Sequence, residues 1–147
     1  TSQFLHGGFA HLFGNMLYLF IFGDNVEDKM GHIKYLIFYL LSGTGAGITQ
    51  AFISSKSMIP IIGASGSISG VLGAYLLFYP KAKVLTILPV LWFIRIVKIP
   101  ALFFLGGWFL FQLLYAGYSN ESIGGVAWWA HISGFILGMF LSNFFKK

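Results

Sequence analysis

Gly63-Ala64-Ser65-Gly66 is the stretch around which the chain is organised. It follows a loop carrying Pro60 and opens an apolar run, Ser65 to Tyr79, that stops at Pro80. A serine between small residues thus stands at a helix N-terminus, where backbone N–H groups lack intrahelical partners and the dipole favours negative charge. That is a seat for a nucleophile whose reaction develops an oxyanion. Taken alone, the stretch reads more simply as a serine N-cap. The rest of the chain decides between the two.

The composition is that of a membrane protein. Of 147 residues, 57% are hydrophobic and 9% charged, and mean hydropathy is +0.82. A soluble domain carries about 25% charged residues. The expected fold is all-α: a polytopic helical bundle forming one domain over residues 1–147, since the apolar runs are too closely spaced for separate cores. The net charge of +5 does not point to nucleic acid, because the basic residues lie between apolar runs, where they set membrane orientation. Cysteine is absent, which excludes disulfides, a thiol nucleophile and thiolate metal sites. Thr1-Ser2-Gln3 carries no methionine and no signal-peptide pattern, so the chain reads as truncated at its N-terminus.

Four more apolar runs accompany the one after Ser65. The first, about Phe4 to Phe22, holds His6, His11 and Asn15. Such groups are costly in lipid and face the bundle interior. His11 and Asn15 are four apart and share a face, with His6 off that stripe and nearer the outer interface. Gly23-Asp24 is expected to end this run, leaving Asp24, Glu27 and Asp28 in a loop. The second run, Ile33 to Ile53, has a small-residue centre with Gly43 and Gly47 in GxxxG spacing, a packing signal. Val84 to Ile99 is broken by Pro89 and punctuated by Arg95 and Lys98. One crossing needs about 20 residues, so this segment reads as amphipathic, lying on or dipping into the interface. The fourth run, Pro100 to Ala116, contains Gln112, expected to make an interhelical hydrogen bond. The fifth, Val126 to Phe145, carries His131. Gly66, Ser69, Gly70 and Gly73 form one smooth face; Ala127, Ala130, Gly134 and Gly138 form another, its natural partner.

With five crossings, alternate loops divide the basic residues eight against one. Lys29, Lys34, Lys81, Lys83, Arg95, Lys98, Lys146 and Lys147 fall on one side and only Lys56 on the other. The first side is cytoplasmic by the positive-inside rule. Counting upward, Ser65 stands above Pro80 and His131 above Lys146 by equal lengths of helix, about 22 Å at 1.5 Å per residue. His11 reaches about 20 Å above Asp24 on the same rise. Three polar groups from three helices share one level, which points to one site.

Serine needs a base to become a nucleophile. His131 is at the right depth, on the helix expected to pack against the serine helix. All four acids are expected in loops away from that level, so a serine–histidine dyad is favoured over a triad. His11, Asn15 and the Ser65 backbone N–H fit oxyanion donors. A zinc site from His6, His11 and His131 lacks a carboxylate at their level and the HExxH pattern. The serine stretch is not the G-x-S-x-G elbow of soluble hydrolases, since Ser67 occupies the last position.

The chain resembles the rhomboid family of intramembrane serine proteases over essentially its whole length. The resemblance rests on His6-x4-His11-x3-Asn15, the Gly23…Glu27…Gly31 segment, Gly63-Ala64-Ser65-Gly66, and Ala130-His131-x2-Gly134-x3-Gly138. It implies Ser65 as nucleophile, His131 as general base, and His11, Asn15 and backbone N–H groups as oxyanion hole, with no cofactor. It implies transmembrane protein substrates cleaved in or near the bilayer, and a prokaryotic cell membrane as location with the site opening to the extracytoplasmic side. It makes Glu27 structural, and it implies a cap at the Gly117–Gly125 loop with substrate entering past the fourth run. Two departures stand out: the first of six core helices is missing, and Ser69 replaces an aromatic that packs on the base in some members. The alternative is a catalytically silent, rhomboid-like protein that binds and escorts membrane clients. A transporter is not favoured, since no repeat or charged pathway is visible.

Overall fold

The computed structural model describes residues 2–90, 92–118 and 125–147. After a short 3-10 turn at Ser2–Phe4 come the helices α1 (Phe9–Met30), α2 (His32–Ile53) and α3 (Ser65–Phe78). A β-hairpin follows, β1 (Lys83–Val90) and β2 (Phe93–Pro100), and then α4 (Ala101–Tyr118) and α5 (Trp128–Phe145). The protein is a helical bundle with one small sheet. Among the described residues, two helices, α2 and α4, are long and apolar enough to cross a membrane by length and composition.

The helices alternate in direction. Gly66 faces Gly134 and Gly70 faces Gly138, so α3 and α5 run parallel; Ser42 lies on Gly70 while Ala46 lies on Gly66, so α2 opposes α3. His11 meets Gly63 and Phe22 meets Tyr75, which sets α1 parallel to α3. Trp108 lies against Phe135 and Phe111 against Trp128, which sets α4 against the direction of α5. Helix α3 is central, with every residue from Gly66 to Tyr75 buried. At one end of the bundle the Lys147 N–H donates to the Lys29 carbonyl and its Nζ to the Asp28 carbonyl. There the Lys29 ammonium also lies over the Tyr79 ring. This is the lysine-rich end expected on the cytoplasmic side.

The small-residue faces meet as their spacing predicts. A Cβ on Gly134 would strike the Gly66 carbonyl, one on Gly138 the Gly70 backbone, and one on Gly73 the Phe135 carbonyl. Backbone therefore lies on backbone along the α3–α5 seam. The GxxxG pair in α2 is only half used. A Cβ on Gly43 would strike the Ser67 Oγ, whereas Gly47 faces open space.

Four expectations are corrected. Gly23-Asp24 does not end α1, which runs on to Met30. Phe22, Val26 and Met30 are all buried, and their spacing of four keeps one face in the core. Asp24, Glu27 and Asp28 therefore sit on the last turns of the helix rather than in a loop; the fourth acid, Glu121, lies outside the described residues. The break comes at Gly31, whose φ of +84° only glycine adopts readily. Just beyond it, His32 Nδ1 lies 2.5 Å from Glu27 Oε1, so Glu27 ties the end of α1 to the start of α2. His6 lies before α1 rather than on it.

The segment after Lys81 is not one amphipathic stretch but an antiparallel hairpin, with Val84 opposite Ile99 and Ile87 opposite Ile96. Its many β-branched residues fit a pleated surface. The outward face carries exposed Leu85, Ile87, Ile94 and Ile96. The hairpin folds back so that the carbonyls of Ala82 and Pro80 accept from the N–H groups of Ala101 and Leu102, satisfying the start of α4. The expected cap at Gly117–Gly125 falls largely on residues 119–124, which lie outside the described residues.

The seam makes a graded prediction. Gly138→Ala forces α3 and α5 apart, a cost of about 1–3 kcal/mol for overpacking. Gly47→Ala, into open space, stabilises by about 0.5–1 kcal/mol through helix propensity. Thermal unfolding of the two variants in detergent checks both signs.

Candidate active site

Ser65 is the first residue of α3, and His131 lies in the first turns of α5. With α3 and α5 parallel and in backbone contact, their starts lie side by side. Ser65 Oγ donates to His131 Nε2 at 2.9 Å, within the range for direct proton transfer. Gln50 of α2 secures the start of α5. Its Oε1 accepts from the Ala130 N–H at 2.9 Å, and its Nε2 donates to Ser54 Oγ at 2.6 Å. One orphan donor of the α5 N-terminus is thereby satisfied one residue before the imidazole.

The other ring nitrogen is also engaged. His131 Nδ1 donates to Gln112 Oε1 of α4 at 2.8 Å, and Gln112 Nε2 donates to the Trp108 carbonyl at 3.1 Å. The imidazole lies between two indoles, with ring centroids 6.0 Å from Trp108 and 6.3 Å from Trp128. Two aromatics thus pack on the imidazole although position 69 carries a serine. Ser69 instead donates to the Ser65 carbonyl at 2.6 Å. The expected interhelical hydrogen bond of Gln112 is present, and its partner is the candidate base.

Gly63 brings the third element to the site. Its φ is +114°, and a Cβ there would stand 2.8 Å from His11 Nε2 and 3.7 Å from Asn15 Nδ2. Only glycine lets the backbone before Ser65 approach α1 this closely. Asn15 is buried, and among the described residues its Nδ2 has no hydrogen-bond partner. A buried donor without a partner carries a desolvation penalty unless a ligand supplies the acceptor. His11 Nδ1 receives a long contact of 3.4 Å from the Gly7 N–H, and this leaves Nε2 as the protonated nitrogen turned toward Gly63. The first helical N–H, that of Ser65, has no intrahelical acceptor. His6 packs edge-on to His11 at 5.2 Å.

His11, Asn15, Ser65 and His131 all line one cavity of about 1080 Å³, together with Gln50 and Trp108. The serine hydroxyl, the imidazole and the unpaired Asn15 amide therefore line one cavity, an arrangement capable of acyl transfer. The glycines at 66, 70, 73, 134 and 138 and Ala130 lie beneath it, along the α3–α5 seam. Gln50, Trp108 and Trp128 were not foreseen as site residues. Their signal was faint: a lone glutamine and two tryptophans in apolar runs.

A family model described as the rhomboid domain matches residues 1–147. The chain belongs to the rhomboid family. Among its relatives, RHOMBOID-like protein 6, mitochondrial, of Arabidopsis thaliana is 35% identical over 96% of this chain and 41% of its own length. Rhomboid-like protein 11, chloroplastic, from the same plant is 28% identical over 96% of this chain and 49% of its own. YdcA of Bacillus subtilis, which carries a provisional rhomboid-protease name, is 34% identical over 52% of this chain and 38% of its own length. The chain thus spans less than half the length of these relatives. Two of the three are named for organelles, so the rhomboid domain is not confined to prokaryotic membranes. The expected prokaryotic cell membrane is unsupported; residence in a membrane is what stands.

Gly63→Ala should push His11 away from the cavity and slow fluorophosphonate labelling of Ser65 by about tenfold or more, short of the 10²–10³ typical for outright loss of an oxyanion donor. Labelling rates in detergent, with helicity followed by circular dichroism, check this.

Proposed function

We propose that this chain is the catalytic domain of an intramembrane serine endopeptidase that cleaves transmembrane segments of other membrane proteins. The observation that carries the reading is the 2.9 Å hydrogen bond from Ser65 Oγ to His131 Nε2, in a cavity that also holds the unpartnered Asn15 amide. Family membership supports it at the level of the domain.

In this reading Ser65 Oγ attacks the scissile carbonyl carbon as His131 Nε2 takes its proton. The carbonyl oxygen becomes an oxyanion and accepts from Asn15 Nδ2, His11 Nε2 and the Ser65 N–H. As the C–N bond breaks, the imidazolium returns its proton to the departing amine and leaves an acyl-serine. Water, deprotonated by the same imidazole, attacks the ester and frees the new carboxylate and the serine. No metal or cofactor enters these steps. The substrates are proteins within the lipid bilayer, and the cavity opens away from the lysine-rich end.

The competing reading, a silent escort protein of rhomboid type, predicts client binding without chemistry. The two part in one experiment. The full-length protein, reconstituted in proteoliposomes with a transmembrane substrate, should cleave it, and Ser65→Ala and His131→Ala should each reduce turnover by about 10³-fold or more. Retained turnover in either variant overturns the assignment. Client binding with no cleavage and no fluorophosphonate labelling of Ser65 favours the escort.

A further inference from the structure

We infer that Gln112 is a positioning residue for the reaction: its carboxamide holds His131 in the one tautomer able to act as base toward Ser65. This deepens the protease reading and rests on it.

A neutral imidazole carries its proton on either ring nitrogen, and only the form with a bare Nε2 can accept from Ser65 Oγ. Something must keep the proton on Nδ1. In many serine hydrolases a carboxylate does so. Here the acids at 24, 27 and 28 lie at the far end of α1, and the atom facing Nδ1 is Gln112 Oε1 at 2.8 Å.

A carboxamide presents an acceptor on one side and a donor on the other, so its orientation needs explaining. The Trp108 carbonyl supplies the explanation. It is acceptor-only, lies one helical turn before Gln112, and receives Gln112 Nε2 at 3.1 Å. Turning the amide over would set oxygen against oxygen at the carbonyl and an N–H against Nδ1. In a site where Gln112 is only 3% exposed, water cannot relieve that clash. The Trp108 backbone thus orients the amide, the amide sets the imidazole, and the imidazole faces the serine. Every polar atom in the line has one role, donor or acceptor, and the roles agree end to end.

The arrangement differs from a carboxylate triad in one respect. The amide sets tautomer and ring orientation without adding a negative charge to a buried, apolar region. An unpaired carboxylate there would be costly.

The test uses the full-length protein in detergent or proteoliposomes. Gln112→Met keeps length and volume but removes the acceptor. It should lower kcat about 10²-fold or more, the usual reach of general-base catalysis, while KM and unfolding temperature stay close to wild type. Gln112→Glu, held protonated in this apolar site, can donate its hydroxyl to the Trp108 carbonyl while its other oxygen accepts from Nδ1–H, and it should recover most of the rate lost in Gln112→Met. A packing role predicts the reverse order, with the apolar isostere tolerated and the acid harmful.

Nitrogen-15 shifts of the His131 ring give a reading independent of turnover. The wild type should show Nδ1 protonated and Nε2 bare. Wild-type Nε2 protonation, or a Gln112→Met kcat within about threefold of wild type, overturns the inference. If Gln112→Met does not fold, the wild-type ring spectrum decides alone. If the wild type neither cleaves nor labels at Ser65, the protease reading falls, and the ring spectrum still judges what Gln112 does to His131.

Discussion

The closeness of α3 and α5 is the constraint on which the rest depends. Two helices with ordinary side chains between them pack with axes about 8–10 Å apart. Glycine at 73, 134 and 138 removes those side chains where α3 meets α5, so that carbonyls of one helix lie against glycines of the other, and glycine at 66 and 70 admits Ala46 and Ser42 of α2. Ser65 and His131 are short reaches from their own helices, and a 2.9 Å contact between them needs this approach. In a bilayer the seam gains little from the hydrophobic effect, because lipid is as apolar as leucine. Close van der Waals fit must hold it together.

Around that seam, the polar groups behave as a low-dielectric interior requires. Gln50 supplies the acceptor that the start of α5 lacks, Gln112 engages the far side of the imidazole, and Ser69 returns its proton to the helix backbone. Among the described residues the Asn15 amide, beside the serine, is buried and unpaired, as are Ser42 Oγ at the seam and His6 Nε2 beside His11. A donor left vacant beside the serine holds binding energy available for an incoming oxygen. The close approach at Gly63 works to the same end, since the residue that permits it also delivers Ser65 to α1.

Much of this was legible in the chain. Low charge and long apolar runs dictated a helical bundle, and glycine spacing identified which helix faces meet. Equal helix lengths above the lysine-rich end placed Ser65 and His131 at one level, whereas the count for His11 took Asp24 as the end of α1, which runs on to Met30. What misled was local. Gly23-Asp24 looks like a terminator, but Phe22, Val26 and Met30 carry the helix past it, and burial overrules a turn signal. The segment around Pro89 reads as one amphipathic stretch at the interface, yet its β-branched residues pair across a hairpin. Periodicity cannot arbitrate in an apolar segment that short.

The orientation of the imidazole was not legible at all. Gln112 and Trp108 stand one turn apart on α4, nineteen residues or more before His131, and nothing in their spacing says which helix they face. The sequence by itself determined the chemistry on offer: a serine, a lone imidazole in its half of the chain, and amide donors. Only the tertiary structure decided which nitrogen meets which oxygen. A hydrogen bond is fixed to tenths of an ångström by helix rotation and crossing. Those follow from the packing of all five helices at once, not from any one segment read alone.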